Sequence, residues 1–171
     1  IPTVLELGFD MGLALARVGV QRSMRAFQAL RVLLEDSPPE LGHVSLNSVI
    51  EQTMKSFDEE LRVTESRISL ELNDAPIRLN ADPRMLLIAV QACVGTLVSL
   101  VEASGQGGAI HIATRTTEGT AHCELRQDAY RMSADQFARL SDLEWSDRPG
   151  GTPAGIALAA AARISQAHGG L

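Results

Sequence analysis

DPRMLLIAVQACVGTLVSLV, residues 82–101, is the stretch on which the reading of this chain turns. It carries no charge between Arg84 and Glu102. At about 100° per residue, Arg84, Gln91, Gly95, Ser99 and Glu102 fall on one narrow stripe. Met85, Leu86, Leu87, Ala89, Val90, Cys93, Val94, Leu97 and Val101 cover the rest, and a helix so widely apolar is buried on more than one face. The uncharged run is shorter than the roughly 20 residues a bilayer core requires, and Gln91, Thr96 and Ser99 interrupt it. The stretch therefore reads as the central helix of an α/β domain, with burial expected to be deepest along Leu86, Val90, Val94 and Leu97.

Upstream of it, Asp82-Pro83 is an N-cap followed by proline at the first helical position. Ile77–Ala81 reads as a short strand, Asn73–Pro76 as a turn, and Arg67–Leu72 as a half-buried strand because Ile68, Leu70 and Leu72 alternate with Ser69 and Glu71. Before these come a short extended piece, His43–Leu46, an expected N-cap at Asn47, and an amphipathic helix over 48–61. Downstream, Ser104–Gly108 is a loop, and Ala109–Thr117 and Thr120–Gln127 form a hairpin about the two-residue turn Glu118-Gly119. That register places Ile112 opposite Leu125 and Thr114 opposite Cys123. It sets His111 against Arg126 and His122 against Arg115, with Cys123 on the other side of the sheet, so no tetrahedral metal ligand set assembles. His43 falls in a loop, and His168 ends the last helix, where a partial positive charge would suit the dipole. A helix at 133–140, a loop at 141–153 and a small-residue helix at 154–167 with a glycine C-cap complete the chain.

Residues 2–35 have helical periodicity, with Leu13, Val20, Phe27 and Leu34 seven apart and Ala16, Ser23 and Leu30 three further on. This is a bundle seam, and it predicts a homodimer through Leu13, Val20, Phe27 and Leu34. Arg17, Arg22, Arg25 and Arg31 read as a solvated flank. Ser37-Pro38-Pro39 ends the helix, giving a dimerisation-type helix at 1–38 and an α/β domain at 43–171. The chain has 171 residues and a net charge of -6, from 21 acidic and 15 basic residues. That balance, without a basic cluster, argues against a nucleic-acid partner. Two cysteines, Cys93 and Cys123, read as reduced structural thiols, which points to a cytoplasmic protein with no membrane contact in this segment. No signal peptide opens the sequence, and a start at Ile1 suggests a piece of a longer protein.

The order of elements and several local sequences resemble the ATP-binding domain of sensor histidine kinases, within the superfamily shared with gyrase, Hsp90 and MutL. The resemblance covers about Val44 to Leu171. Its residues are Val44-Ser45-Leu46-Asn47, Leu79-Asn80-Ala81-Asp82-Pro83, Gly107–Ile112 and Ala167-His168-Gly169-Gly170. It implies a two-layer α/β sandwich, a mostly antiparallel sheet covered on one face by helices 47–61, 83–102 and 154–167. It also likens the N-terminal helix to the second helix of the family's dimerisation and phosphoacceptor module.

The family's functional boxes are altered here. Its paired asparagines, the second a magnesium ligand, fall on Ala92 and Thr96, and a threonine hydroxyl is a poor replacement for an amide carbonyl. Its adenine-reading aspartate falls on Gln127, with Ala129 and Arg131 in place of the glycines that follow. The second glycine box is represented by Gly151–Ala157, where Gly155 matches and Ala157 does not, although Gly151-Thr152 could instead be the matching pair. Thr96, Gln127, Ala129, Arg131, Gly155 and Ala157 are thus vestigial ATP-site positions, and little or no ATP binding, no metal and no catalytic residue are expected. No histidine lies on the N-terminal helix to accept a phosphoryl group. The expectation is a two-component signalling protein of pseudokinase type, acting by dimerisation and by contact with a response regulator or another signalling protein. A histidine phosphotransfer protein with a decayed ATP domain, or the catalytic fragment of an active sensor kinase using ATP and magnesium, are the alternatives.

Overall fold

The computed structural model describes residues 4–145, 147, 148 and 150–170. Its elements are α1 (Val4–Leu34), β1 (Gly42–Ser45), α2 (Leu46–Val63), β2 (Ser66–Glu71), β3 (Arg78–Ala81), α3 (Pro83–Ser104), β4 (Gly108–Thr117), β5 (Thr120–Gln127), α4 (Ala134–Ala138) and α5 (Gly151–Ala167). The expected start of the first helix at Pro2 lies outside the described residues. α3 begins where Asp82 and Pro83 predict: the Asp82 carboxylate accepts from the Arg84 and Met85 amides at 2.9 and 3.2 Å. It ends at Gly105, whose φ of 68° is left-handed, a conformation that glycine adopts without a Cβ clash.

The strands form two ladders. β1 pairs antiparallel with β3, while a three-stranded sheet runs β2-β4-β5. The β4–β5 hairpin has the register its turn dictates, with Ile112 opposite Leu125, Thr114 opposite Cys123, His111 opposite Arg126 and His122 opposite Arg115. Both turn residues, Glu118 and Gly119, have positive φ, as a type I′ turn demands. β2 joins β4 in parallel, because the chain crosses over through β3 and α3 before returning. The helical layer also differs from the expected arrangement. α2 and α3 cover the sheet, whereas α5 packs chiefly on α3 and α1.

The core lies between sheet and helices, where Ile50, Phe57, Val94, Val98, Val101 and Ile110 have no exposed surface. On α3 the deepest line runs through Val90, Val94, Val98 and Val101. Leu86 and Leu97, expected on that line, are only partly buried and pack at the edge of the same core. Cys93 and Cys123 are free thiols in this layer, and burial pushes both up to about 11, which keeps them protonated at neutral pH.

Asn47 does not cap α2. Ser45 does, its hydroxyl accepting from the Ser48 amide at 3.4 Å. Asn47 instead donates to the Asn73 carbonyl at 2.9 Å and accepts from the Thr114 hydroxyl at 3.2 Å, joining the α2 end of the small ladder to the main sheet. A side-chain amide, with both donor and acceptor, can make that bridge.

Candidate functional site

α1 has two opposed faces. Ala14, Val18 and Ala29 are buried against the domain, with α1 packing on α5, α3 and α2. Leu13, Val20, Phe27 and Leu34 are 43, 60, 72 and 77% exposed on the other side. These four side chains form an exposed apolar stripe on a helix docked by its opposite face, and Phe27 also borders the cleft between α1, α3 and α5.

Electrostatic clamps hold that docking. Glu60 of α2 is 1% exposed. It accepts from Arg22 Nε at 2.6 Å and from an Arg25 terminal nitrogen, and the Arg25 guanidinium lies 4.1 Å from the centre of the Phe57 ring. Arg22 also pairs with Glu102 at the end of α3, at 2.8 Å. Burial works against the charged Arg22 guanidinium, but the two carboxylates outweigh it and its pKa is raised. Arg22 and Arg25 are thus not the solvated flank that periodicity suggests; only their carboxylate partners make partial burial tolerable. At the far end, Arg163 of α5 donates to the Leu33 carbonyl at 2.8 Å and pairs with Asp36 at 3.0 Å, placing a cation where the α1 dipole favours one.

Between α1, α3 and α5 lies a cleft of about 600 Å³. Its α3 wall is the polar stripe and its neighbours: Gln91, Ala92, Gly95, Thr96, Ser99 and Glu102. The structure therefore brings Thr96 and Ala157 together in one cleft, with α1 across the face of α3 that carries Ala92 and Thr96. Gln127, Ala129, Arg131 and Gly155 are not in its wall.

Of the six positions that the resemblance singles out, Thr96, Gln127, Ala129 and Gly155 are engaged within the chain itself. The Thr96 hydroxyl is buried and donates to the Ala92 carbonyl one turn earlier at 2.8 Å. Gln127 accepts from the Ala129 and Tyr130 amides at 2.9 and 2.7 Å and donates to the Tyr130 carbonyl, so its amide closes the turn after β5. Ala129 packs where Gly108 has no side chain; a Cβ there would lie 2.6 Å from the Ala129 methyl. Arg131 is exposed. Gly155 is covered by the Arg148 guanidinium, which a Cβ would overlap. Arg148 is itself buried and donates to the carbonyls of Trp145 and Leu140, each at 2.7 Å, and to that of Asp142. Sequence reasoning missed this arginine, since nothing in its spacing distinguishes a side chain that gathers three loop carbonyls.

A second polar centre was half visible. Besides capping α3, Asp82 accepts from the Glu40 amide at 2.9 Å, and its own amide donates to His168 Nε2 at 2.9 Å. Burial alone would raise the Asp82 carboxyl, but the amides of Glu40, Met85 and Arg84 and the Arg84 charge hold it below the usual carboxylate range. His168 Nδ1 lies 2.7 Å from the Ile164 carbonyl. A ring nitrogen that accepts an amide proton carries none, so Nδ1 is the protonated one and the ring is neutral. The expected positive charge at the end of α5 is therefore replaced by a neutral link between helix ends.

No family profile matches the chain. Over 159 residues it is 24% identical to the sensor histidine kinase ZraS of Escherichia coli O157:H7, an alignment covering 91% of this chain and 34% of that protein; the chain spans about a third of the length of the curated relative it matches. Two solved structures resemble it over most of their length and a third over about a third. The nucleotide-free catalytic domain of histidine kinase ThkA superposes with a TM-score of 0.65 at 18% identity, covering 75% of this chain and 82% of that one. Histidine kinase AdeS of Acinetobacter baumannii gives 0.65 at 15% identity over 98% of this chain and 75% of its own. Full-length ShkA, solved with AMPPNP, gives 0.68 at 16% identity over 99% of this chain and 35% of its own. The alignments with AdeS and ShkA take in nearly the whole chain, α1 included. The described residues from Gly42 on thus have the fold of the histidine kinase catalytic domain, carried behind a long helix docked on its flank.

Proposed function

We propose that this chain is a signalling module of two-component type in which the kinase-like domain works without nucleotide, through dimerisation and protein contact. The observation that carries this reading is the fate of the α3 stripe. The helix face that would meet a nucleotide bears Ala92 and a Thr96 hydroxyl turned onto its own backbone, and α1 lies across it, clamped by Glu60. Gln127 and Arg148 add to it, each spending its polar groups on loop backbone. Losing two charge-assisted hydrogen bonds at about 1.5–3 kcal/mol each weakens affinity by hundreds-fold or more. Calorimetric titration of ATP with and without magnesium is expected to be silent in both conditions; micromolar binding in either refutes the reading.

The exposed stripe Leu13, Val20, Phe27, Leu34 is the dimer contact in this proposal, since so continuous an apolar face on a docked helix is otherwise left in water. Light scattering is expected to give a dimer that Phe27→Glu converts to a monomer. A wild-type monomer with unchanged mass in the variant removes dimerisation from the reading. The phosphoryl-transfer alternative shares this helix pairing, and a response regulator is the partner it and the main reading have in common.

A further inference from the structure

The cleft between α1, α3 and α5 is of a size that holds a small molecule, and its chemistry differs from that of a nucleotide site. The two cations in its wall, Arg22 and Arg25, are neutralised by Glu60 and Glu102. The hydroxyls of Thr96 and Ser99 donate to the Ala92 and Gly95 carbonyls within their own helix. The remaining surface is largely aliphatic, with Leu30 on α1, Ile88 and Ala92 on α3, and Ile156 and Ala157 on α5. A phosphate chain entering this space finds no arginine in the wall without a carboxylate partner and only the start of α5, at Gly150 and Pro153, as a source of partial positive charge, too little to offset the hydration it loses. An uncharged apolar body loses nothing and buries surface against three helices.

We infer that this cleft is a binding site for an uncharged, predominantly apolar small molecule, one that touches α1 on one side and α3 with α5 on the other. The inference rests on the reading that nucleotide is not bound there. Because its walls belong to separate elements, an occupant bridges α1 to the domain and strengthens the docking that the Glu60 clamp begins. Binding at one site also raises thermal stability by mass action, since the unfolded chain has no cleft.

The uncharged fluorophore N-phenylnaphthylamine, titrated into the whole chain, tests this, with MgATP added as competitor. Saturable binding of one probe per chain is expected, with a raised melting temperature, slower proteolysis in the 35–41 connection, and no displacement by MgATP. Ala157→Phe on α5 and Ala26→Phe on α1 fill the cleft from opposite walls, and each is expected to weaken the probe about tenfold or more while circular dichroism is unchanged. If a filled variant loses its helical signal, the other variant and the wild-type proteolysis decide. Absence of saturable binding, or binding unaffected by either filled variant, overturns this inference and leaves the nucleotide-independent reading standing. Displacement of the probe by MgATP overturns both.

Discussion

The start and the middle of α3 make opposite use of polar groups. At its start, Asp82 gathers the amides of Glu40, Arg84 and Met85, and its own amide finds His168, so one residue joins the connection after α1, the start of α3 and the end of α5. In its middle, Ala92, Thr96 and Ser99 offer nothing outward that their own helix has not taken. The lesson is that fold-specifying polarity and ligand-specifying polarity are separable on one helix. The first is satisfied by joining separate elements, while the hydroxyls of Thr96 and Ser99 are satisfied within one turn of their own helix.

The heaviest blow to that contrast is a charge in the shared apolar side. Val90→Asp places a carboxylate at a position 6% exposed, and an unpaired buried charge costs several kcal/mol. Loss of soluble, cooperatively unfolding protein is expected in expression trials and urea titration; a folded variant within about 1 kcal/mol of wild type would contradict the placement of the core.

Next in size, Glu60→Gln leaves the two arginines facing a neutral amide. Breaking a buried pair on one side costs about 3–5 kcal/mol, reduced here because Arg22 is partly exposed and retains Glu102. Faster cleavage in the 35–41 connection and a lowered urea midpoint are expected, with the sheet amides still protected from hydrogen exchange. Uniform loss of protection would mean that α1 is integral to the core rather than clamped to it.

The smallest effect sharpens the other end. The Asp82 carboxyl titrates below its ordinary range, so its contribution to stability is present above the unfolded-state value of about 3.9 and is lost as pH falls through the lower folded-state value. Asp82→Asn keeps a capping oxygen and is expected to cost about 1 kcal/mol at neutral pH. Its stability should fall less steeply than wild type as pH drops below the ordinary aspartate range of about 4. Parallel acid limbs for the two proteins would assign the cap no electrostatic part.

What could be read from the sequence follows from the range of each cause. The hairpin register was legible because a two-residue turn fixes pairing locally, and the start of α3 because Asp82-Pro83 is a signal within a single turn. Arg22 and Arg25 were misread because their partner lies 38 and 35 residues away on another helix, where periodicity carries no information. Asn47 looked like a cap for want of sight of Asn73 and Thr114, and His168 looked like a dipole partner until Asp82 was seen beside it. Thr96 and Ala157 do line one cleft, but sequence pattern could not reveal that α1 crosses it or that Arg148 covers Gly155.

The position of the Glu60 clamp along α1 also has a mechanical meaning. Arg22 is 18 residues from Val4, about 27 Å along the helix axis, while Arg163 pins the opposite end near Leu33. α1 is therefore held at several points along its length, at Ala14 and Val18 by burial, at Arg22 and Arg25 by Glu60 and near Leu33 by Arg163, so a force applied near Val4 is carried into the domain through the packed helix as a whole.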